Sequence, residues 1–451
     1  MQESLLATHG ARFHSLNGGT SPIEGGISYR LRKYIATDGK WYNVVHTFPG
    51  PSTSAGVLSF NKADTGLSTW TEIASFDAAA LGVTRITDVG VDFKGDTFYI
   101  SISTELNPPG TSTTIFLFTY NVLTNASAML NSGAAGRNVS ITDPATGIAV
   151  KSDGTVSIIF VGLSEIVSGS PYGRVSFIEY SGSWSSVVFV AGQAGLADNF
   201  FLGQIVCSAS DRLHIFINDE ADLFHVSFLA GSFGTLQDIL VGGFFNFGVY
   251  PYTVGLALAY TDSGSNGRVI LPYTGFDSPG DTKTIAVMSA LDQTNPTWTS
   301  TILDTVFPWS TETHDYGFPY GSLVNNTRIF EQYLSAEHMT GDNVVVQFIK
   351  ANYDPSYSFV VETVIYASVF NGSSWSAGVA IRTDVGAPYF IFGVWAVNNT
   401  AAFLARVDTT DFDNSHDVTD NLRHLYIAEP TPPPVTTVGY IASKGKWIQS
   451  V

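Results

Sequence analysis

DVGVDFKGDTFYISIS, Asp88 to Ser103, alternates apolar and polar residues on both sides of a Lys-Gly-Asp-Thr turn. Val89, Val91 and Phe93 before the turn, and Phe98, Ile100 and Ile102 after it, fall on one side of a pleated chain, because strand side chains alternate with period two. Gly95 and Asp96 supply the backbone freedom that a tight two-residue turn demands. The stretch reads as a β-hairpin. The same pattern recurs as RKYIATDGKWYNVVHTF, GIAVKSDGTVSIIFVG, GQIVCSASDRLHIFIND, VGLALAYTDSGSNGRVILPYTG, GSLVNNTRIFEQYLS and FGVWAVNNTAAFLARVD.

One turn residue from each hairpin, Gly39, Gly95, Gly154, Asp211, Gly267, Asn326 and Asn399, gives steps of 56, 59, 57, 56, 59 and 73 residues. A second marker, Trp followed by Ser or Thr at Trp70, Trp184, Trp298 and Trp375, repeats at 114 and again 114 residues over its first three members, two steps of 57 each. A repeat of this length with two further strands after each hairpin suits a propeller blade. The chain is therefore expected to be all-β, a single β-propeller of seven blades with four antiparallel strands each, plus a C-terminal extension. A count of six or eight stays open, because the long sixth step has room for a further partial unit. MTGDNVVVQFIKANYDPSYSFVVE reads as an insertion in that step and as a surface loop for contacts, with Tyr353 and Tyr357 as its partner-facing aromatics. The tryptophans are expected to pack against their own blade edge or the next blade.

YIATDGKW, Tyr34 to Trp41, returns as YIASKGKW, Tyr440 to Trp447, after the stiff segment EPTPPP. The expected organisation is an N-terminal arm or closing strand over 1–26, a propeller over 27–428, a Pro-rich linker over 429–434 and a terminal arm or pair of closing strands over 435–451. The terminal segment either packs locally and closes the ring or, through Tyr440 and Trp447, meets a neighbouring subunit. ARFHSL near the N-terminus is an equal source of the closing strand.

Apolar residues make up 44% of the 451 and charged ones 13%, which suits a large packed core and not disorder. The net charge of −18, with no Lys/Arg cluster, argues against nucleic acid and anionic membranes as partners. The longest apolar run, YFIFGVWAV, is too short to span a bilayer, and the N-terminus shows no signal-peptide pattern. The single cysteine, Cys207, reads as a small buried hydrophobe and not a reactive thiol.

No catalytic motif stands out. Asp92, Glu179, Asp262, Glu331 and Glu362 lie in or beside strands, where a glycosidase would draw its two carboxylates, though a solvated or hydrogen-bonded carboxylate is the plainer reading. The nine histidines form no zinc pattern, and His214 and His225 read as structural. DTTDFDNSHDVTD, with Asp408, Asp411 and Asp413, offers oxygen ligands for a calcium ion, set against the plainer reading of a polar loop with capping aspartates. No other cofactor is expected, and the Gly-x-Ser-x-Gly elbow, the P-loop and the dinucleotide-binding GxGxxG are absent.

Propeller enzymes include sialidases, and ADTGLSTW resembles their Asp box. The Asp64 to Trp70 spacing is one residue too long, and the other Trp-Ser units lack the Asp. Across its whole length, in its Gly/Ser/Thr/Asn-rich turns, scarce charge and Pro-linked arm, the chain resembles in style the propeller proteins of tailed-bacteriophage tails and surfaces. That resemblance implies a structural or host-recognition role in a virion assembled in the host cytoplasm. Its partners would be other particle proteins, a host glycan or receptor, or further copies of itself, and it would be no enzyme. The alternative is a lectin-like carbohydrate-binding propeller or a carbohydrate-active enzyme such as a glycoside hydrolase, secreted or displayed at a cell surface without a standard signal peptide.

Overall fold

The structure, a computed structural model, describes residues 2–13, 34–47, 56–64, 71–105, 112–137, 146–167, 170–190, 201–218, 223–240, 253–254, 257–276, 283–305, 314–315, 334–339, 341–354, 359–385, 389–397, 400–407, 418–426, 439–441 and 446–448. All of the regular structure among them is β-strand.

The strands fall, in chain order, into seven antiparallel blades. The first holds Tyr34–Ile35, Trp41–Thr47, Val57–Ala63 and Thr71–Asp77; the second Arg85–Lys94, Thr97–Glu105, Ser112–Asn121 and Ser127–Arg137. The third holds Thr146–Val150, Val156–Val167, Ser170–Tyr180 and Val188–Phe189; the fourth Phe201–Cys207, Leu213–Asn218, Leu223–Leu229 and Gln237–Leu240. The fifth holds Leu258–Thr261, Gly267–Phe276, Lys283–Leu291 and Thr299–Thr305; the sixth Leu334–His338, Asn343–Asp354, Phe359–Asn371 and Val379–Val385. The seventh is Tyr389–Val397, Thr400–Val407 and Val418–Tyr426, completed by the N-terminal strand Gln2–Phe13. The chain is a β-propeller. Its first strand pairs with its last blade and also lies beside Thr71–Asp77 of the first blade, so the ring shuts where the two ends of the sequence meet. The C-terminal hairpin, Gly439–Ile441 with Lys446–Ile448, stays a separate two-stranded sheet beside Val379–Val385.

Alternation explains how the blades stack. A strand with apolar residues on both faces has two neighbours to bury against, and the inner hairpins have such strands. In Val156–Val167, Ile158 and Phe160 face the second blade while Ile159 and Val161 face the fourth. Between the first and second blades, Phe60 meets Tyr120 at 4.3 Å and Phe98 at 5.4 Å between ring centroids. Each fully buried ring of this kind stabilises the joint by about 1.5–3 kcal/mol. The second and third blades approach closely enough that Gly136 pairs with Gly162, and a Cβ on Gly136 would lie 3.2 Å from the Val161 carbonyl oxygen of the third blade.

The turns of the inner hairpins carry a second device. Thr37 donates through its backbone N–H (2.6 Å) and its hydroxyl (2.7 Å) to the two oxygens of Asp96 on the next blade. Ser152 makes the same pair of bonds to Asp211, and Ser263 to Asp342, with both distances 2.6 Å in the last case. Blades one, three and five therefore clip blades two, four and six. Asp96 and Asp211 hold left-handed backbone at φ 64° and 61°, a conformation that Asp tolerates better than most residues, and it aims the carboxylate back at the donor blade.

Two expectations change. The turn of the sixth inner hairpin lies at Gly341 and Asp342, between Leu334–His338 and Asn343–Asp354, and not at Asn326, which is outside the described residues. MTGDNVVVQFIKANYD is thus hairpin, not insertion, and Tyr353 belongs to a strand paired with Val360; Tyr357 is outside the described residues. The reading failed because Asn-Asn between apolar runs carries the same turn signal as Gly-Asp.

Candidate functional site

The inner strands of the first five blades converge on a cavity of about 230 Å³. Tyr34, Asp92, Lys94, Gln204, Cys207 and Ala257 supply its chemistry from the first, second, fourth and fifth blades, Thr146–Val150 of the third contributing apolar wall. The site is a product of ring closure: no two of its polar groups on different blades are closer than 50 residues in sequence.

Asp92 accepts 2.8 Å hydrogen bonds from the backbone N–H of Phe93 and, across the blade joint, of Val150. Both oxygens are therefore fixed in direction. Lys94 Nζ donates to the carbonyl of Lys151, whose own ammonium pairs with Glu179 and stands 5.0 Å from the centroid of the Phe228 ring. Ser157 adds a 2.9 Å bond to Glu179. Gln204, buried, accepts from the N–H of Ala257 on the fifth blade. Burial, with the charges of Asp211 and Asp92 adding to it, pushes the Cys207 thiol up to about 12. The thiol stays protonated at neutral pH, which fits the expected unreactive cysteine, but it is half-buried in the cavity wall and not fully buried as its apolar sequence context implied.

Of the five carboxylates singled out by sequence, Asp92 lines the cavity, Glu179 is tied to Lys151 and Ser157, and Asp262 is tied to Arg268 at 2.7 Å and to its own turn. Glu362 sits on Phe359–Asn371, and Glu331 lies outside the described residues. Asp408, Asp411 and Asp413 also lie outside them, while Tyr440 and Trp447 pair across the C-terminal hairpin. His214 is one strand and His225 two strands outward from the cavity wall, both buried between the fourth and fifth blades. Three of the tryptophans pack as expected, Trp184 on Tyr180 (5.0 Å), Trp375 on Phe370 (5.2 Å) and Trp298 across the joint on Phe216 (5.6 Å), while Trp70 lies outside the described residues. Lys94 and Gln204 were missed. Lys94 and Lys151 occupy the same place before successive hairpin turns, 57 residues apart, so an overlay of the repeats marks them.

No known family model matches the chain, and no curated protein matches it. Among solved structures it is similar to a PL25 polysaccharide lyase, an ulvan lyase, with a TM-score of 0.50 at 8% identity, covering 92% of this chain and 95% of that one. It is also similar to a protein of unknown function from Dyadobacter fermentans, at TM-score 0.45 and 10% identity over 82% and 97% of the two chains. A third is the α-L-arabinofuranosidase Arb93A from Fusarium graminearum, at TM-score 0.44 and 9% identity over 95% and 98%. At these identities the likeness is one of fold.

Proposed function

We propose that this propeller binds carbohydrate at its ring centre, without cleaving it. The observation that carries the reading is the central cavity: three of its five strands present a carboxylate, an ammonium, an amide and a phenol around a space that suits a single sugar residue. Oriented donors and acceptors beside an aromatic edge are what sugar hydroxyls and sugar faces need. Glycoside hydrolysis needs two carboxylates across the bond. Among the described residues Asp92 is the one carboxylate lining this cavity, and both its oxygens already accept backbone N–H bonds. A polysaccharide lyase with this fold is consistent with a carbohydrate role but carries no residue assignment to this chain.

The test is a glycan array followed by calorimetry on the best ligand, with Lys94→Met beside the natural chain. Loss of one charged hydrogen bond of about 1.5–3 kcal/mol weakens binding about tenfold or more. Retained product-free glycan with lowered affinity in the variant supports the reading. Absence of binding across neutral and acidic glycans, or an unchanged affinity in the variant, sinks it.

A second reading, a structural component of a virus particle, draws on a different observation. The N-terminal strand already completes the seventh blade, so the C-terminal hairpin is left as a small sheet with its own edges, suited to pairing with another subunit. Co-sedimentation with particles from the native source, abolished by deleting residues 435–451, is the result this reading expects.

A further inference from the structure

Between the fourth and fifth blades a row of polar groups runs through the core. Asp292 Oδ1 is 3.1 Å from His214 Nε2, and His214 Nδ1 is 3.0 Å from His225 Nε2. His225 Nδ1 is 3.3 Å from Gln237 Oε1, and Gln237 Nε2 donates at 3.1 Å to the carbonyl of Pro296. Both imidazoles are fully buried. The charged groups facing them are Asp292, from the turn after Lys283–Leu291, and Arg212 at the start of their own blade's second strand. Ser210 also bonds Asp292, at 2.6 Å, and Trp298 and Phe216 close the sides with centroids 4.9 and 5.4 Å from the His225 ring.

The row has four links and needs one proton in each. A neutral imidazole donates at one nitrogen and accepts at the other, and an amide used at both ends likewise donates at one and accepts at the other. Such groups line up head to tail, so a row of them carries one direction from end to end. Here both ends are acceptors: the Asp292 carboxylate and the Pro296 carbonyl. The direction must reverse once along the row, and only a group that donates from both ends reverses it. Turning the Gln237 amide over does not help, because its oxygen would then face the Pro296 oxygen. Among His214, His225 and Gln237, the one species that donates twice along the row is an imidazolium. The two rings therefore need three ring protons, where two neutral rings hold two.

We propose that His214 and His225 form a buried site for one shared proton, filled on acidification, and that this proton completes the joint between the fourth and fifth blades. Burial holds both rings below their ordinary value, with the His214 charge adding to the effect on His225, so near-neutral water leaves the site empty and one link unmade. The longest link, at Gln237, is the one given up, since Gln237 is only part-buried and can turn to water. A second proton has no place, because the middle link would then set two N–H groups head to head at 3.0 Å. The filled state ties Gln237 to His225 as well as to the Pro296 carbonyl; the empty state leaves His225 without that link.

The experiment is a titration of the full chain with ¹⁵N-labelled histidine from pH 8 downward, the two rings identified through His214→Gln and His225→Gln. The expected result is one proton taken up by the folded chain, with both rings shifting on a single curve centred below 6.5. Gln237→Met removes the far acceptor and with it the need for a reversal, so the step disappears or moves down by more than one pH unit. Gln237→Glu puts a carboxylate at each end and moves the step up by a similar amount. Two independent curves, no uptake before the chain unfolds, or a Gln237→Met chain titrating like the natural one overturns the proposal.

Discussion

Asp292→Ala destabilises the folded chain by about 3–5 kcal/mol, the range for removing one partner of a buried ion pair and leaving the other charge uncompensated. Asp292, whose side chain is 5% exposed, accepts from Arg212 at 2.6 Å, from Ser210 at 2.6 Å and from His214 at 3.1 Å. Without it, a guanidinium that is itself 13% exposed keeps its charge and loses its counter-ion. Folded stabilities of 5–15 kcal/mol are usual, so the loss is a large share of the whole. Urea denaturation measures it as a lowered midpoint at unchanged slope. The effect also depends on pH. Burial alone would raise the Asp292 pKa, but hydrogen bonds from His214, Ser210, Ser208 and Arg212 outweigh it and hold the carboxyl well below its usual 3.8. A carboxyl depressed on folding contributes its stability above the unfolded value and loses it as pH falls through the folded one. The gap between the natural chain and the variant is therefore full at pH 7 and narrows below about pH 3.8. A midpoint within 0.5 kcal/mol of the natural chain at pH 7 would show that Asp292 is no hub.

Deleting residues 1–13 opens the ring. The N-terminal strand makes eight register pairs with Val418–Tyr426, and no other strand of the described residues occupies that edge. At about 1 kcal/mol per net hydrogen bond, the lost ladder is worth several kcal/mol before any packing is counted. The exposed edge is also a template for pairing with other chains. The expected outcome is a shift from a single species to oligomers on size-exclusion chromatography, together with loss of a single cooperative unfolding transition. Deleting residues 435–451 serves as the contrast: the ring stays closed and the chain keeps its size and midpoint. If the second deletion opens the ring and the first does not, closure by the N-terminal strand is refuted.

The repeated hairpins were legible because their signal is local. Val89 to Ile102 alternate around a turn whose residues tolerate positive φ, and a strand's apolar period follows from bond geometry alone. Tryptophan spacing marked the same unit, with Trp184 and Trp375 packing within their own blades and Trp298 across a joint. The sixth blade was displaced to Asn326 for the same reason, since a local signal cannot say which of two turns joins paired strands. The unreactive thiol of Cys207 was legible from its apolar neighbours, and the cavity was not: Tyr34, Asp92, Lys94, Gln204 and Ala257 meet only because five inner strands face one axis.

Local patterning of side chains sets the strand period, the near-57-residue repeat and the all-β propeller built from it. Those features depend on interactions within a few dozen residues. Tertiary structure alone decided which end shuts the ring, how Thr37, Ser152 and Ser263 reach Asp96, Asp211 and Asp342, and that His214 and His225 stand in one row with Asp292. Apart from the His214–His225 link, which lies within the fourth blade, each of those contacts joins different blades. Their geometry is set by the closure of the whole ring, a condition that no local stretch of the chain contains.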